Sequence, residues 1–237
     1  MSRPFHFKSF SIQHERCAMK VSTDGILLGA WASAPMAGAI LDIGTGTGLI
    51  ALMTAQRTQG QLPITALELD AEAAAQAVEN VAASPWPDSV TVIRGDIRTW
   101  REKKGFQQIL SNPPYFSNSL KASGTARNLA RHNDTLSFAE LMQAVDDLAA
   151  PSAGFYCILP VASAEQLLVE GEKIGWLPAK RCDVRTGPEK DIIRALLCLE
   201  KRVQSCVHST LTIHSSTGEY SPEFVSLTKA FYLKMPD

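Results

Sequence analysis

The sequence predicts an α/β fold, with a mostly parallel sheet, helices on both faces and an antiparallel edge. Three observations predict it. The apolar strand Ala39-Ile40-Leu41-Asp42-Ile43 runs into a glycine loop and then into a helix that continues through Leu52 and Met53. Two more apolar runs follow, each ending in an acid, with an alanine-rich helix between them. A fourth run, Gln108 to Ser111, ends in Asn112-Pro113-Pro114-Tyr115. Strands alternating with helical patterns argue a parallel sheet, and the shorter connections later in the chain argue the antiparallel edge.

The loop after the first strand carries Gly44, Gly46 and Gly48 at alternating positions. Glycines let the backbone pass close to a ligand, and the helix N-terminus that follows offers N–H donors. The dinucleotide fingerprint wants its third glycine three residues after the second. That position is Leu49, and the glycine comes one earlier, so a dehydrogenase is disfavoured. A nucleoside-triphosphate enzyme is disfavoured too, because no Lys-Ser/Thr pair follows the loop.

The second strand, Ile64 to Glu68, ends in a carboxylate, with Leu69 beyond it. An acid there suits a ribose diol, since one carboxylate accepts from both hydroxyls. A helix over Ala71–Ala83 leads to the third strand, Val90 to Arg94, with Gly95-Asp96-Ile97 past its end. Asp96 is placed to accept from an adenine amine while the Ile97 N–H meets a ring nitrogen. A helix cap is the plainer reading of either acid alone. Asp42, Glu68, Asp96 and Asn112 all fall at strand ends, the edge along which open α/β sheets bind ligands.

At the fourth strand end, consecutive prolines lack N–H groups and hold their own φ angles, and Pro114 biases Pro113 away from the helical region. The Asn112 side chain and the Asn112 and Pro113 carbonyls thus form a rigid set of acceptors, with Tyr115 as a stacking surface. This set grips a planar amine that donates hydrogen bonds, such as the exocyclic amine of adenine.

The rest reads more coarsely. Asp134 or Ser137 caps a helix to about Ala149; a strand covers Gly154 to Pro160 and a helix Ser163 to Ile174. Later strands fall near Pro178–Val184, Ile192–Leu199 and Thr210–His214, with a short helix near Ser221–Leu233.

Taken together, the glycine loop, the two acids and the Asn-Pro-Pro-Tyr turn resemble the amino-methylating branch of the S-adenosylmethionine-dependent methyltransferases. Two flanking segments narrow the resemblance. Arg16 to Trp31, which contains Ser22-Thr23-Asp24-Gly25, and Glu219-Tyr220-Ser221-Pro222 through Tyr232 are similar to those of bacterial tRNA (adenine-N6)-methyltransferases. The resemblance spans nearly the whole chain. It implies a Rossmann-like, seven-stranded sheet, S-adenosylmethionine as cofactor, and methylation of the adenosine just 3′ of the anticodon in a valine tRNA. It also implies that Asp24 lines the cofactor pocket, with residues 1–38 as an extension packed over it. The turn alone leaves other planar amines open, namely guanine N2 in rRNA, adenine in DNA, or a glutamine amide in protein. A catalytically idle RNA-binding module that keeps the fold is a further alternative, disfavoured by the intact site residues.

At 237 residues with 45% apolar content the chain has enough length for one sizeable core and reads as one domain. It shows no membrane-spanning apolar stretch and no signal-peptide core at its start, so a cytoplasmic enzyme is expected, as a monomer or weak homo-oligomer. The five cysteines and five histidines lack metal-ligand spacing, so no metal is expected. The net charge of −1 means that RNA affinity must come from a local basic face. Candidates are Lys121, Arg127 and Arg131 in the polar stretch 117–135, expected to be mobile until RNA binds, and Lys180 and Arg181.

Overall fold

The computed structural model describes residues 3–17, 19–102, 105–114 and 136–235. Ten strands and six helices are assigned among them. A small hairpin comes first, β1 (Phe5–His6) and β2 (Ser11–Ile12), followed by helix α1 (Thr23–Trp31). The expected alternation then follows as β3 (Ala39–Ile43), α2 (Leu49–Arg57), β4 (Ile64–Glu68), α3 (Ala71–Ala82), β5 (Val90–Arg94) and β6 (Phe106–Ser111). The second half holds α4 (Phe138–Leu148), β7 (Ala149–Leu159), α5 (Val161–Glu172), β8 (Leu177–Arg185), β9 (Ile192–Glu200), β10 (Val207–Thr212) and α6 (Pro222–Thr228).

Strands β3 to β10 form one sheet in the order β10-β8-β9-β7-β6-β3-β4-β5. Only β9 runs antiparallel to its neighbours, β7 and β8. Two details differ from expectation. The sheet has eight strands rather than seven, because the chain past β9 adds β10 parallel to β8. The antiparallel strand also lies one place in from β8, not at the margin. The connection from β8 to β9 is a hairpin, which enforces antiparallel pairing, and residues 201–206 then carry the chain past β8.

Successive strand residues supply opposite faces. Leu110, Tyr156 and Ile158 pack with α1, α2 and α6, whereas Ile109, Phe155 and Cys157 pack with α4 and α5. Helices α1 and α2 lie close together because Gly29 faces Met53; a Cβ on Gly29 would sit 2.6 Å from the Met53 sulfur. The Arg57 guanidinium donates to the Gly29 and Ala30 carbonyls, satisfying acceptors at the end of α1. The two helices therefore run in the same direction, and both begin at the sheet's carboxyl edge. Ser137 caps α4 in a reciprocal capping box with Glu140, as the sequence allowed; Asp134 lies outside the described residues.

Candidate active site

The carboxyl ends of β3, β4 and β5 enclose a cavity of about 190 Å³, lined by Gly44, Glu68, Leu69, Asp96, Ile97 and Pro114 among others. All three loop glycines adopt left-handed φ angles, +70° at Gly44, +56° at Gly46 and +82° at Gly48. A side chain would be strained at each of them. A Cβ on Gly44 or Gly46 would meet nothing within 4 Å, so the loop leaves open space where a ligand can approach the backbone.

The carboxylates at the strand ends do different work. Glu68 holds the loop, with Oε2 accepting from the Gly46 N–H at 2.7 Å and Oε1 from the Asp70 N–H at 2.9 Å. A carboxylate has about four acceptor sites, so each oxygen retains capacity for a hydroxyl. Asp96 is gripped by Arg98, whose Nε lies 2.9 Å and Nη2 2.6 Å from Oδ2. That hydrogen-bonded pairing holds the Asp96 carboxyl below its ordinary range, so it is ionised at neutral pH. Arg98 was not singled out in the sequence, although its place two residues after a strand-end acid was a usable signal.

Asp42 does not line the cavity. It is fully buried beneath the loop and accepts from the Thr45 hydroxyl at 2.6 Å. Burial pushes its carboxyl up to about 7; the Thr45 hydroxyl and the Ala51 amide oppose the rise, and the nearby Glu68 charge adds to it. Asp42 therefore supports the loop rather than facing a ligand. Asp24 is also absent from this cavity. It pairs with Arg194 at 2.8 Å and lines a separate cavity.

At the end of β6, the Ser111 hydroxyl donates to the Ile43 carbonyl at 3.0 Å, tying this strand end to β3. Asn112 is half-buried, Pro113 buried and Pro114 exposed. The Asn112 Oδ1 is shielded from solvent and has no hydrogen-bond partner among the described residues. Unpaired buried acceptors are costly, and their persistence points to function. Tyr115 and the stretch 117–135, with Lys121, Arg127 and Arg131, lie outside the described residues.

Lys180 and Arg181 are not brought to the site. They occupy the first half of β8, beyond β7 and β9 from the cavity. Arg181 is committed to Glu165 at 2.7 Å and Asp183 at 2.8 Å, and Lys180 donates to the Ser33 hydroxyl.

The sequence reading also missed Asn80, a buried residue on α3. Its Oδ1 accepts from the Gln13 N–H, and its Nδ2 donates to the Gln13 and Thr47 carbonyls, each bond being 2.8 Å long. One amide thus ties the N-terminal segment to the glycine loop. Arg16 pairs with Glu79 nearby. The Cys17 thiol is pushed up to about 11 by burial, with the Glu68 and Asp70 charges adding to the rise. Among the described residues no cluster of His, Cys, Asp and Glu suits a metal, and no helix is long and apolar enough to cross a membrane.

The fit to S-adenosylmethionine follows from these parts. Open glycine backbone stands beside the Glu68 carboxylate, and Asp96, Leu69 and Ile97 line the same cavity. The methyltransferase small domain model matches residues 22–136. The tRNA1(Val) (adenine(37)-N6)-methyltransferase of Pseudoalteromonas translucida is 47% identical, over 98% of this chain and 99% of its own. The protein of the same name from Phocaeicola vulgatus is 46% identical, over 98% of both chains. Among solved structures, a predicted O-methyltransferase of Agrobacterium tumefaciens superposes with a TM-score of 0.67 at 18% identity, covering 88% of this chain and 96% of its own, a likeness of fold.

Proposed function

The chain belongs to the tRNA1(Val) (adenine(37)-N6)-methyltransferase family, and on that premise we propose that it transfers a methyl group from S-adenosylmethionine to the exocyclic N6 of an adenosine in tRNA, at position 37 of tRNA1(Val). The observation that carries the chemistry is the unpartnered, shielded Oδ1 of Asn112, held at a strand end beside the cofactor cavity. The whole chain acts as one methyltransferase domain, with residues 1–38 as an extension fastened near the cofactor by Asn80. The enzyme works in the cytoplasm, where its RNA substrate is found.

Glu68 receives the ribose hydroxyls, and Asp96 with the Ile97 N–H receives the adenine of the cofactor. Leu69 and Ile97 flank that base. Gly44, Gly46 and Gly48 let the backbone lie against the remainder, and Asp42 holds their loop from below. The cofactor, when bound, would supply an electrophilic methyl group on a sulfonium, the S–C bond breaking to leave a neutral thioether.

The target nitrogen is a weak nucleophile because its lone pair is delocalised into the ring. Asn112 Oδ1 accepts one of its N–H groups and the Pro113 carbonyl the other, which orients the lone pair. As the nitrogen gains positive charge both hydrogen bonds strengthen, so the turn binds the transition state better than the ground state, and the methylated nitrogen then releases its surplus N–H proton to solvent. Pro113 and Pro114 keep these acceptors rigid, and the motif assigns Tyr115 to stacking on the base. RNA contact is assigned to 117–135, through Lys121, Arg127 and Arg131. Lys180 and Arg181, committed elsewhere, are not included.

Labelled methyl transfer to separated RNA and protein pools tests this reading. Label is expected in the tRNA pool. Label in rRNA or protein instead would keep the catalytic turn and overturn the substrate.

A further inference from the structure

One side chain of the cofactor cavity has no part in the chemistry above. Arg98 lines that cavity and also the neighbouring one of about 390 Å³, whose walls include Glu140, Gln143 and Asp147 of α4. Its guanidinium is turned back on Asp96, two residues earlier in the chain. Nε lies 3.0 Å from Oδ1 and 2.9 Å from Oδ2, and Nη2 lies 2.6 Å from Oδ2. The Arg98 backbone N–H also donates to Oδ1, at 2.9 Å.

The turn has other bonds to keep its shape. The Asp96 carbonyl accepts from the Thr99 N–H at 3.0 Å and from the Trp100 N–H at 2.7 Å. Trp100 packs beside Phe106 of β6, ring centroids 6.1 Å apart. What the guanidinium adds is therefore centred on the Asp96 carboxylate. A carboxylate at a cavity wall turns about its side-chain bonds and is hydrated from several directions. A planar fork of donors holds it in one orientation.

That grip also sets how the carboxylate meets a ligand. A carboxylate has about four acceptor sites. Three N–H groups of Arg98 engage it, the backbone amide, Nε and Nη2. About one acceptor site is left. Asp96 lines the cofactor cavity and its side chain is 24% exposed, so a ligand can reach it. The same pairing keeps the group ionised, so it accepts and does not donate. A base edge that carries an amino group finds a partner there. An edge with a hydrogen or a carbonyl at that point does not.

We propose that Arg98 is a positioning residue that sets the base preference of the cofactor site, its fork presenting a single acceptor of Asp96 to the 6-amino group of the cofactor's purine. The proposal rests on the assignment of Asp96 to the cofactor's adenine. It adds that this recognition depends on a residue that acts through Asp96 and need not touch the cofactor.

The test is calorimetric titration of the full chain, and of Arg98→Met and Arg98→Lys, with S-adenosylhomocysteine and with its 6-desamino analogue, which has purine in place of adenine. The readout is the ratio of the two dissociation constants. A general loosening of the pocket weakens both ligands and leaves the ratio alone. The analogue keeps the ring nitrogen that meets the Ile97 N–H, so the ratio isolates the amine. The wild-type protein is expected to favour adenine by roughly 10–100-fold, the worth of one charge-assisted hydrogen bond. Arg98→Met should cut that preference by about 2–10-fold, the cost of ordering one freed side chain on binding. Arg98→Lys should cut it as well, because an ammonium keeps the charge and loses the fork. An unchanged ratio in either folded variant would overturn the role of Arg98 and leave the assignment of Asp96 standing. A ratio near one in the wild-type protein would overturn the Asp96 assignment and the proposal with it, and is read without any variant.

Discussion

Asn80 offers a test in which the structure sets the magnitude. Its side chain is 2% exposed and makes three hydrogen bonds of 2.8 Å, two with Gln13 and one with the Thr47 carbonyl. Asn80→Ala removes all three. At about 1 kcal/mol net per bond the loss is roughly 3 kcal/mol, with more where the buried Thr47 carbonyl is left unpaired. For a chain of this size each kcal/mol lowers the melting temperature by about 2–4 °C, so a drop of roughly 6–12 °C is expected. Asn80→Asp should be at least as damaging, since it sets a carboxylate against two carbonyl oxygens. Thermal unfolding measures the drop. Amide hydrogen exchange at Gln13 and Gly48 should show the loosening is local to the N-terminal segment and the glycine loop. Cofactor affinity should weaken, because the loop loses its tie. A melting temperature within 2 °C of wild type, with unchanged exchange at these amides, would refute the reasoning.

Three further outcomes are expected. Asn112→Ala should lower single-turnover methyl transfer by on the order of 10²–10³, as for loss of one transition-state hydrogen bond, while calorimetry finds the cofactor affinity unchanged. Glu68→Ala should weaken cofactor binding by roughly 10–100-fold, from the loss of charge-assisted bonds to the ribose, with the rate of the saturated complex within a few-fold of wild type. Asp42 titrates near 7 in the folded chain and near 4 when unfolded, so between those values the folded state holds the extra proton and stability falls as pH rises, flattening above about 7. Denaturant titration from pH 5 to 8 should show this slope, and Asp42→Asn should flatten it.

Much of the site was legible because its parts are local. The glycine spacing, the acids after β4 and β5, and Asn112-Pro113-Pro114 each sit within a few residues of a strand that periodicity reveals. Periodicity does not reveal which strand-end acid turns downward. Asp42 reads like Glu68 in sequence, yet it is fully buried and props the loop. Pairings between distant segments were also beyond reach. Asp24 meets Arg194 across 170 positions, which draws it to another cavity, and Asn80 meets Gln13 across 67. An asparagine in an alanine-rich helix gives no hint of such a partner. Strand β10 was only partly visible because most of its side chains are exposed and only Leu211 is buried, so its apolar signal is weak. Lys180 and Arg181 looked like an open basic patch; the partner that neutralises Arg181, Glu165, lies on a neighbouring helix.

The most direct measurement is mass spectrometry of the nucleosides and loop fragments of purified tRNA1(Val) after incubation with the protein and S-adenosylmethionine, beside the Asn112→Ala variant. The prediction is N6-methyladenosine at position 37, formed by the wild-type chain and nearly absent with the variant. Methyl on another atom or nucleotide, or equal N6-methyladenosine from the variant, would contradict the role given to the Asn112 turn.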